Sequence, residues 1–217
     1  MLRCSDGYTK RANSVTPLYE SALAPDGKIA ACERFYASQG LPCVFRLPSF
    51  APPELDALLE RRGYRALDRT LVLSRSLAAP LAEPVSAAEP VPLDAWLESY
   101  SALAGAGPAQ RAGHRAILER IAGQPAYLLL CEGGAPVACG LGVLEDDHVG
   151  LFDLVVAPER RGAGIGGRLV GALLGWAVER GASAAYLQVV AENAPARRLY
   201  QRWGFGERYQ YWYRQAP

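Results

Sequence analysis

Residues 155–167 read VVAPERRGAGIGG, an apolar strand end, a basic turn, and glycines that open an apolar helix near Ile165. The backbone N–H groups in the first turn of a helix have no partner within the helix. Glycines let the chain curl so that several of these donors point at one phosphate. The stretch therefore predicts a loop that binds a phosphate-bearing ligand.

Two classes of cofactor use a loop of this kind. Gly162, Gly164 and Gly167 fit G-x-G-x-x-G, the fingerprint of dinucleotide-binding proteins. Those proteins place the glycines directly after their first strand, whereas residues 158–161 intervene here. Only about fifty residues follow the loop, which is too few for the remaining units of a doubly wound sheet. A nicotinamide or flavin cofactor is therefore disfavoured.

A second interpretation rests on two motifs in order. Residues 161–166 read RGAGIG, which resembles the R/Q-x-x-G-x-G/A loop of the GNAT superfamily of acetyltransferases. Further on, NAPARRLY at 193–200 followed by Gly204-Phe205 resembles the family's N-x-x-A-x-x-L-Y-x-x-x-G-F element. The resemblance covers about residues 126–213. It implies an N-acetyltransferase that uses acetyl-CoA (coenzyme A) as its donor.

The resemblance also assigns the cofactor site. The pyrophosphate is expected on the backbone of the loop, that is, on Arg161, Gly162, Ala163, Gly164, Ile165 and Gly166. The backbone of Val155 and Val156 would pair with the amides of the pantetheine arm as a neighbouring strand would. Asn193 either contacts the cofactor or only caps the helix that follows it.

Catalysis requires an acid and a base. By resemblance Tyr200 is the general acid that protonates the leaving thiolate, a role that contributes roughly 10²–10⁴-fold when fully used; otherwise it is an aromatic core residue. Asp153 lies in the apolar stretch LFDLV, where an unpaired charge is costly. It is either the general base or substrate anchor, or a hydrogen-bonded structural acid. The acidic residues 145–147 and His148 are expected to form a solvated hairpin turn.

Composition excludes several function classes. The net charge of +1 disfavours an electrostatic nucleic-acid binder. The five cysteines form no C-x-x-C pair, and the two histidines, His114 and His148, lie far from the motifs in sequence, so a disulfide framework, a metal site and a His-based triad are not expected. His114 is expected to face solvent or to pack between helices. No signal peptide or membrane-spanning segment is visible, which predicts a cytoplasmic protein without a membrane partner.

An Ala- and Pro-rich linker at 79–92 divides the chain. The catalytic domain is predicted at 93–217, with the order helix, helix, three strands, helix, strand, helix, strand. This is the GNAT order apart from a first strand, which lies at 83–87 or comes from the N-terminal part. The predicted fold class is α/β (α+β), with a mixed, mostly antiparallel central sheet flanked by helices.

The N-terminal part, residues 1–78, repeats the end of the catalytic domain. A shift of 141 residues places Gly63-Tyr64 on Gly204-Phe205. The same shift places Leu59 on Tyr200 and Pro52 on Asn193. The segment therefore resembles a partial, degenerate GNAT-like domain that has lost its functional groups, unless it is an ordinary α/β segment. Its exposed edge is consistent with intramolecular docking or with a homodimer.

The sequence thus predicts an enzyme that acetylates a primary amine of a small molecule by direct attack in a ternary complex. The alternative from another class is a non-catalytic sensor or regulatory module that binds acyl-CoA. Retention of Tyr200 and Asn193 favours the enzyme. Neither the acceptor nor the length of the acyl group can be deduced from the residues.

Overall fold

A computed structural model describes most of the chain. The described residues are 1–19, 24–79, 81 and 88–217. Half of the predicted linker at 79–92, and all of the candidate first strand at 83–87, lie outside them. Within the described residues the chain forms six α-helices and eight β-strands, and no helix is long and apolar enough to cross a membrane.

The element bounds follow the predicted order. The helices are α1 (Pro25–Ser38), α2 (Pro53–Arg61), α3 (Leu93–Ala104), α4 (Pro108–Leu118), α5 (Ile165–Val178) and α6 (Ala194–Arg202). The strands are β1 (Val44–Pro48), β2 (Arg65–Ser76), β3 (Glu89–Pro90), β4 (Gln124–Glu132), β5 (Ala135–Glu145), β6 (His148–Val156), β7 (Ala184–Val190) and β8 (Gly206–Gln215).

The chain divides into two compact units. The first unit comprises Met1–Leu71, Val190–Glu192 and Tyr209–Pro217. The second unit comprises Val72–Val189 and Asn193–Arg208. Strands β2 and β8 each contribute residues to both units.

The sheet of the second unit is mixed and mostly antiparallel, which confirms the predicted fold class. Its strands follow the order β7-β6-β5-β4-β3. The β3–β4, β4–β5 and β5–β6 pairs are antiparallel and β6–β7 is parallel. Asp146 and Asp147 form the turn between β5 and β6, and Asp146 has a φ of +51°, a conformation that Asp tolerates in turns.

Helices cover both faces of this sheet because the side chains of β5 alternate. Cys139, Leu141 and Val143 belong to a cluster with Trp96 and Leu97 of α3. Gly140 and Gly142 face α5 instead, where an added Cβ would lie 3.1 to 3.3 Å from leucine side chains of that helix. The two glycines therefore allow α5 to lie close to the strand.

The first unit has its own core. Strand β1 pairs antiparallel with β8, from Val44↔Gln215 to Pro48↔Tyr211. Buried side chains of α1, α2 and β1 pack together, among them Ile29, Tyr36, Phe45, Leu47 and Leu59. The Arg214 guanidinium donates to Asp56 Oδ1 at 2.7 Å and holds the pKa of that carboxyl below its usual value.

The element bounds extend the repeat found in the sequence. The 141-residue shift places α2 on α6 at both ends and the start of β2 on the start of β8. Gly63 and Gly204, which follow these helices, have φ values of +82° and +76°. A shift of 140 places α1 on α5, an equivalence that residue identities did not reveal. The four-element segment α1-β1-α2-β2 thus has the same order as α5-β7-α6-β8.

Gly150 of β6 offers a test of this packing. An added Cβ would lie 2.5 Å from the Phe152 ring and 2.8 Å from the Tyr186 ring, which pack edge to face. We expect Gly150→Ala to lower the free energy of unfolding by about 1–3 kcal/mol, measured by urea denaturation. Gly27→Ala in α1 is the control, because an added Cβ there meets nothing within 4 Å. Equal stability of the two variants would contradict the packing described.

Candidate active site

Strands β6 and β7 separate halfway along their length. Their parallel pairing runs from His148↔Ala184 to Leu151↔Leu187 and extends no further, although both strands continue for several residues. Beyond Leu151, β6 is paired to β5 on one edge only. The opposite edge of β6 therefore has backbone groups to offer to a strand-like partner.

The two valines predicted at this edge differ in orientation. Ala157 directly follows β6, and its amide donates a hydrogen bond to the Val137 carbonyl of β5 at 2.9 Å. Because backbone groups alternate along a strand, those of Val155 also point to β5 and those of Val156 point away from it. The Val156 carbonyl accepts a hydrogen bond from Arg161 Nε at 3.3 Å. Of the two, Val156 is the residue whose backbone lies on the open edge.

A β-bulge lies next to this opening. Cys139 pairs with Val155 and Leu141 with Phe152, so the intervening Gly140 faces two residues, Asp153 and Leu154. Asp153 has a φ of +52°, in the left-handed region that few non-glycine residues adopt. Trp96 Nε1 donates to the Gly140 carbonyl at 3.1 Å. The indole thereby satisfies a buried acceptor at the interrupted ladder.

Asp153 is hydrogen-bonded to His114 of α4. His114 Nε2 lies 2.9 Å from Asp153 Oδ2. The His114 side chain is 4% exposed, whereas that of Asp153 is 32% exposed. One carboxylate oxygen is therefore held by a buried imidazole while the group remains accessible. The burial of Cys139, together with the nearby Asp153 charge, raises the pKa of that thiol to about 12.

His114 packs against α3, which agrees with one of the two alternatives expected for it, but its contact with Asp153 was not expected. Both histidines lie far from the motifs in sequence, and the fold nevertheless brings His114 against a candidate catalytic residue. Its ring lies edge-on to those of Tyr100 and Trp96, at centroid distances of 4.7 and 5.8 Å. The one available signal was helical spacing, since His114 and Leu118 lie four residues apart on the buried face of α4. The spacing predicts burial but not the partner.

The glycine loop has the conformation that anion binding requires. Gly162 and Gly164 have φ values of +82° and +78°, and Gly164 is the N-cap of α5. No described residue accepts a hydrogen bond from the backbone amides of residues 162–166. An added Cβ on Gly166 would lie 3.2 Å from Leu199 Cδ2, so α6 packs closely against the start of α5. Five consecutive donors thus stand at the positive end of a helix.

Charged side chains surround the loop. Arg168 Nη1 lies 2.9 Å from Glu132 Oε1, and Arg160 pairs with the other oxygen of the same carboxylate. Arg161 is the third arginine near the loop, after Arg160 and Arg168. Glu159 is the second acid near the loop, after Glu132. The three cations exceed the two anions, which favours a phosphate-bearing ligand.

Tyr200 lies on α6 and is 8% exposed. Its ring packs edge to face with Phe205 at a centroid distance of 6.0 Å. Burial raises the pKa of Tyr200 to about 12. No described residue forms a hydrogen bond with its hydroxyl group. Tyr200 is therefore a neutral phenol at physiological pH, with a proton to donate. Asn193 caps α6, since its Oδ1 accepts a hydrogen bond from the Ala196 amide at 3.2 Å.

Comparison with known proteins is consistent with this geometry. The family model described as "Probable histone acetyltransferase Rv0428c C-terminal" matches residues 1–214. The uncharacterized N-acetyltransferase YobR of Bacillus subtilis is 32% identical over 221 residues, which cover 99% of this chain and 88% of that protein.

Solved structures share the fold. A GCN5-related N-acetyltransferase from Kribbella flavida is 21% identical with a TM-score of 0.67, over 90% of this chain and 77% of that one. A GCN5-related N-acetyltransferase from Sphaerobacter thermophilus is 20% identical with a TM-score of 0.66, over 80% of this chain. The match spans 59% of the Sphaerobacter chain. At these identities the likeness shows the fold alone.

The ionisation of Tyr200 can be tested directly. Because burial disfavours the phenolate, the hydroxyl should stay protonated well above the usual tyrosine pKa. The difference in phenolate absorbance between wild type and Tyr200→Phe should stay near zero to about pH 10 and develop towards pH 12. Because the pKa of Tyr200 is higher in the folded than in the unfolded chain, the free energy of unfolding should fall as the pH rises from about 10 to about 12. A difference that is already half developed at about pH 10 would show that the phenol is not desolvated.

Proposed function

This chain belongs to the GNAT superfamily of N-acetyltransferases, and from that premise we propose that it transfers the acetyl group of acetyl-CoA to a primary amine of a small molecule. The glycine loop carries the proposal, because five consecutive amides that no described residue accepts from stand at the start of α5. The transfer would proceed by direct attack in a ternary complex, with both substrates bound together.

The residues present fit acetyl-CoA. The amides of residues 162–166 would hold its pyrophosphate, with Arg161 beside them. The backbone of Val156 would pair with the pantetheine arm at the open edge of β6. When bound, acetyl-CoA would supply an acetyl group activated as a thioester. A helix dipole contributes about 0.3–1 kcal/mol for an exposed charge, so most of the affinity must come from the summed hydrogen bonds.

Asp153 is the proposed general base. Attack requires a neutral amine, and the accessible oxygen of Asp153 would accept the proton of the incoming ammonium group. An ionised carboxylate is only an acceptor, so the His114 Nε2–H donates to Oδ2. His114 is thus a positioning residue, which holds the carboxylate in the strained bulge with one oxygen turned outward.

Tyr200 is the proposed general acid. Its phenol would donate a proton to the sulfur that leaves when the amine attacks. The raised pKa of Tyr200, caused by burial, keeps that proton in place across the neutral pH range. Packing against Phe205 restricts the ring to one orientation.

The surroundings of Asp153 favour a small cationic acceptor. One accessible carboxylate matches one ammonium group. The near-neutral net charge offers little attraction for a strongly basic protein segment. A pure acyl-CoA sensor would need neither Tyr200 nor Asp153, so catalytic turnover separates the two functions.

We also propose that residues 1–78 are a degenerate GNAT-like domain, joined by the linker at 79–92 to a catalytic domain at 93–217. Support comes from the repeat of element order and from the glycines that follow α2 and α6. Leu59 and Pro52 stand at the positions of Tyr200 and Asn193, so the segment lacks the groups that carry chemistry. Homodimerisation and a cytoplasmic location stay predictions.

The acid role is tested by comparing wild type and Tyr200→Phe. Purified protein is incubated with acetyl-CoA and a panel of amines, and the release of free CoA is followed. We expect an amine to drive release, with kcat at least about 10²-fold lower in the variant and with unchanged affinity for acetyl-CoA. Tight binding without turnover by either protein would favour the sensor. Absence of binding would overturn the proposed function.

The base and its partner are tested by a double-mutant cycle. Asp153→Asn should lower kcat about 10²-fold or more, and His114→Gln about 10-fold, because the amide cannot accept the proton and the loss of His114 releases the carboxylate. If His114 acts through Asp153, adding His114→Gln to Asp153→Asn should cost nothing further. Additive losses would show instead that His114 acts independently of Asp153. His148→Gln is the matched control, since His148 lies at the exposed hairpin.

A further inference from the structure

A cavity lies entirely within the first unit. Its volume is about 860 Å³, which is in the range of small-molecule sites. Its apolar wall includes Leu2, Val15, Ile29, Phe45, Leu55 and Leu58. None of its lining residues belongs to the candidate active site. The proposed acetyl transfer therefore gives this cavity no role.

The cavity corresponds to the cofactor region through the internal repeat. It is lined by the first turn of α1 and by one side of α2, the helices equivalent to α5 and α6. In the second unit, Gly166 at the start of α5 packs against Leu199 of α6. The equivalent positions here are Asp26 and Leu58, and both line the cavity. Positions that are in close contact in the second unit thus border an open space in the first unit.

The cavity lacks the means to bind a diphosphate. Residues 16–24 contain no glycine, and Pro25 at the start of α1 has no N–H to donate. Asp26 adds a carboxylate in the first helical turn. A multiply charged anion is therefore disfavoured, and the cavity is not a second coenzyme A site.

A buried hydroxyl points to a ligand with a hydrogen-bonding group. Thr16 lines the cavity and is 5% exposed. Its Oγ1 has no hydrogen-bond partner among the residues that the structure describes. Leaving a buried hydroxyl unpaired is costly, so a site that retains one gains from a polar ligand atom that pairs with it.

Charges at the cavity favour an anionic head group. Lys28 and Arg61 line it, and neither forms an ion pair with any described residue. Asp26 is already paired with Arg62 at 2.8 Å. Glu54 is the other acid of the lining, so two cations face one unpaired carboxylate. A single negative charge on the ligand would balance the site.

We propose that this cavity binds a medium-chain aliphatic carboxylate. The hydrocarbon tail packs against the apolar wall, and the carboxylate accepts a hydrogen bond from Thr16 Oγ1 and is balanced by Lys28 and Arg61. The proposal is independent of the acetyl transfer, because it uses other residues and a separate ligand.

The test uses the full chain and sodium decanoate, with binding measured by calorimetry. We expect one site per chain and a chain-length series in which each methylene, from hexanoate to decanoate, tightens binding about fourfold, the equivalent of about 0.8 kcal/mol. Cys32 provides a second readout, since it is half-buried and lines the cavity. Decanoate should slow the alkylation of Cys32 by N-ethylmaleimide and leave that of the exposed Cys131 unchanged.

Variants locate the site. Thr16→Val and Lys28→Gln should each weaken decanoate binding about tenfold, and Leu55→Trp should abolish it by filling the space. Arg34→Gln is the matched control, because Arg34 lies on the same helix but not in the lining. Thermal melts and acetyl-CoA binding report whether each variant remains folded.

Three results would overturn the proposal. The first is that about 1 mM decanoate, a concentration that would reveal weak binding, gives no heat of binding and does not slow the alkylation of Cys32. The second is unchanged binding to folded Leu55→Trp and Thr16→Val, which would place the ligand elsewhere. The third is equal or tighter binding of decyltrimethylammonium, which would show that the head group is not recognised as an anion. Failure of acetyl-CoA to bind would affect the proposed function and not this site.

Discussion

The point at which β6 leaves β7 governs the rest of the site. Up to Leu151 the strand is paired on both edges, and beyond it only on one. An unpaired strand edge inside a sheet is costly, because backbone donors and acceptors need partners. Here one carbonyl is satisfied by Arg161, and the remaining edge is available to a ligand arm that mimics a strand. The cofactor site thus exists because the hydrogen-bonded ladder is interrupted.

A second interruption, the bulge in the pairing of β6 with β5, explains how an acid is accommodated in an apolar strand. The bulge gives Asp153 a left-handed backbone and places it where His114 reaches one oxygen. Trp96 then satisfies the Gly140 carbonyl that faces the bulge. Since both partners come from the α3–α4 side of the sheet, the position of the candidate base depends on the core packing of those helices. Stability and catalytic geometry are therefore coupled at this point.

Local chemistry made part of this structure predictable. The glycine loop, the Asn193 cap and the hairpin turn each depend on a few neighbouring residues, and the sequence located all three. The Asp153–His114 contact joins residues 39 positions apart, and it depends on how α4 packs. No glycine or proline marks the bulge at Asp153, so the orientation of the Val156 backbone could not be inferred either. The equivalence of α1 with α5 rests on helix bounds and not on shared residues.

The repeat separates what the fold needs from what the chemistry needs. Glycines with positive φ follow both α2 and α6, so this turn was retained in each copy. At the equivalent positions 59 and 200, leucine is 0% exposed in one copy and tyrosine is 8% exposed in the other. An aliphatic side chain can therefore fill this buried helix position, and packing alone does not require a phenol. The Tyr200 hydroxyl has no protein partner and is not among the buried unpaired atoms of the described residues, so its oxygen is open to a ligand. A phenol with an open hydroxyl, at a position where packing needs only an aliphatic side chain, is an argument that this hydroxyl group meets a substrate.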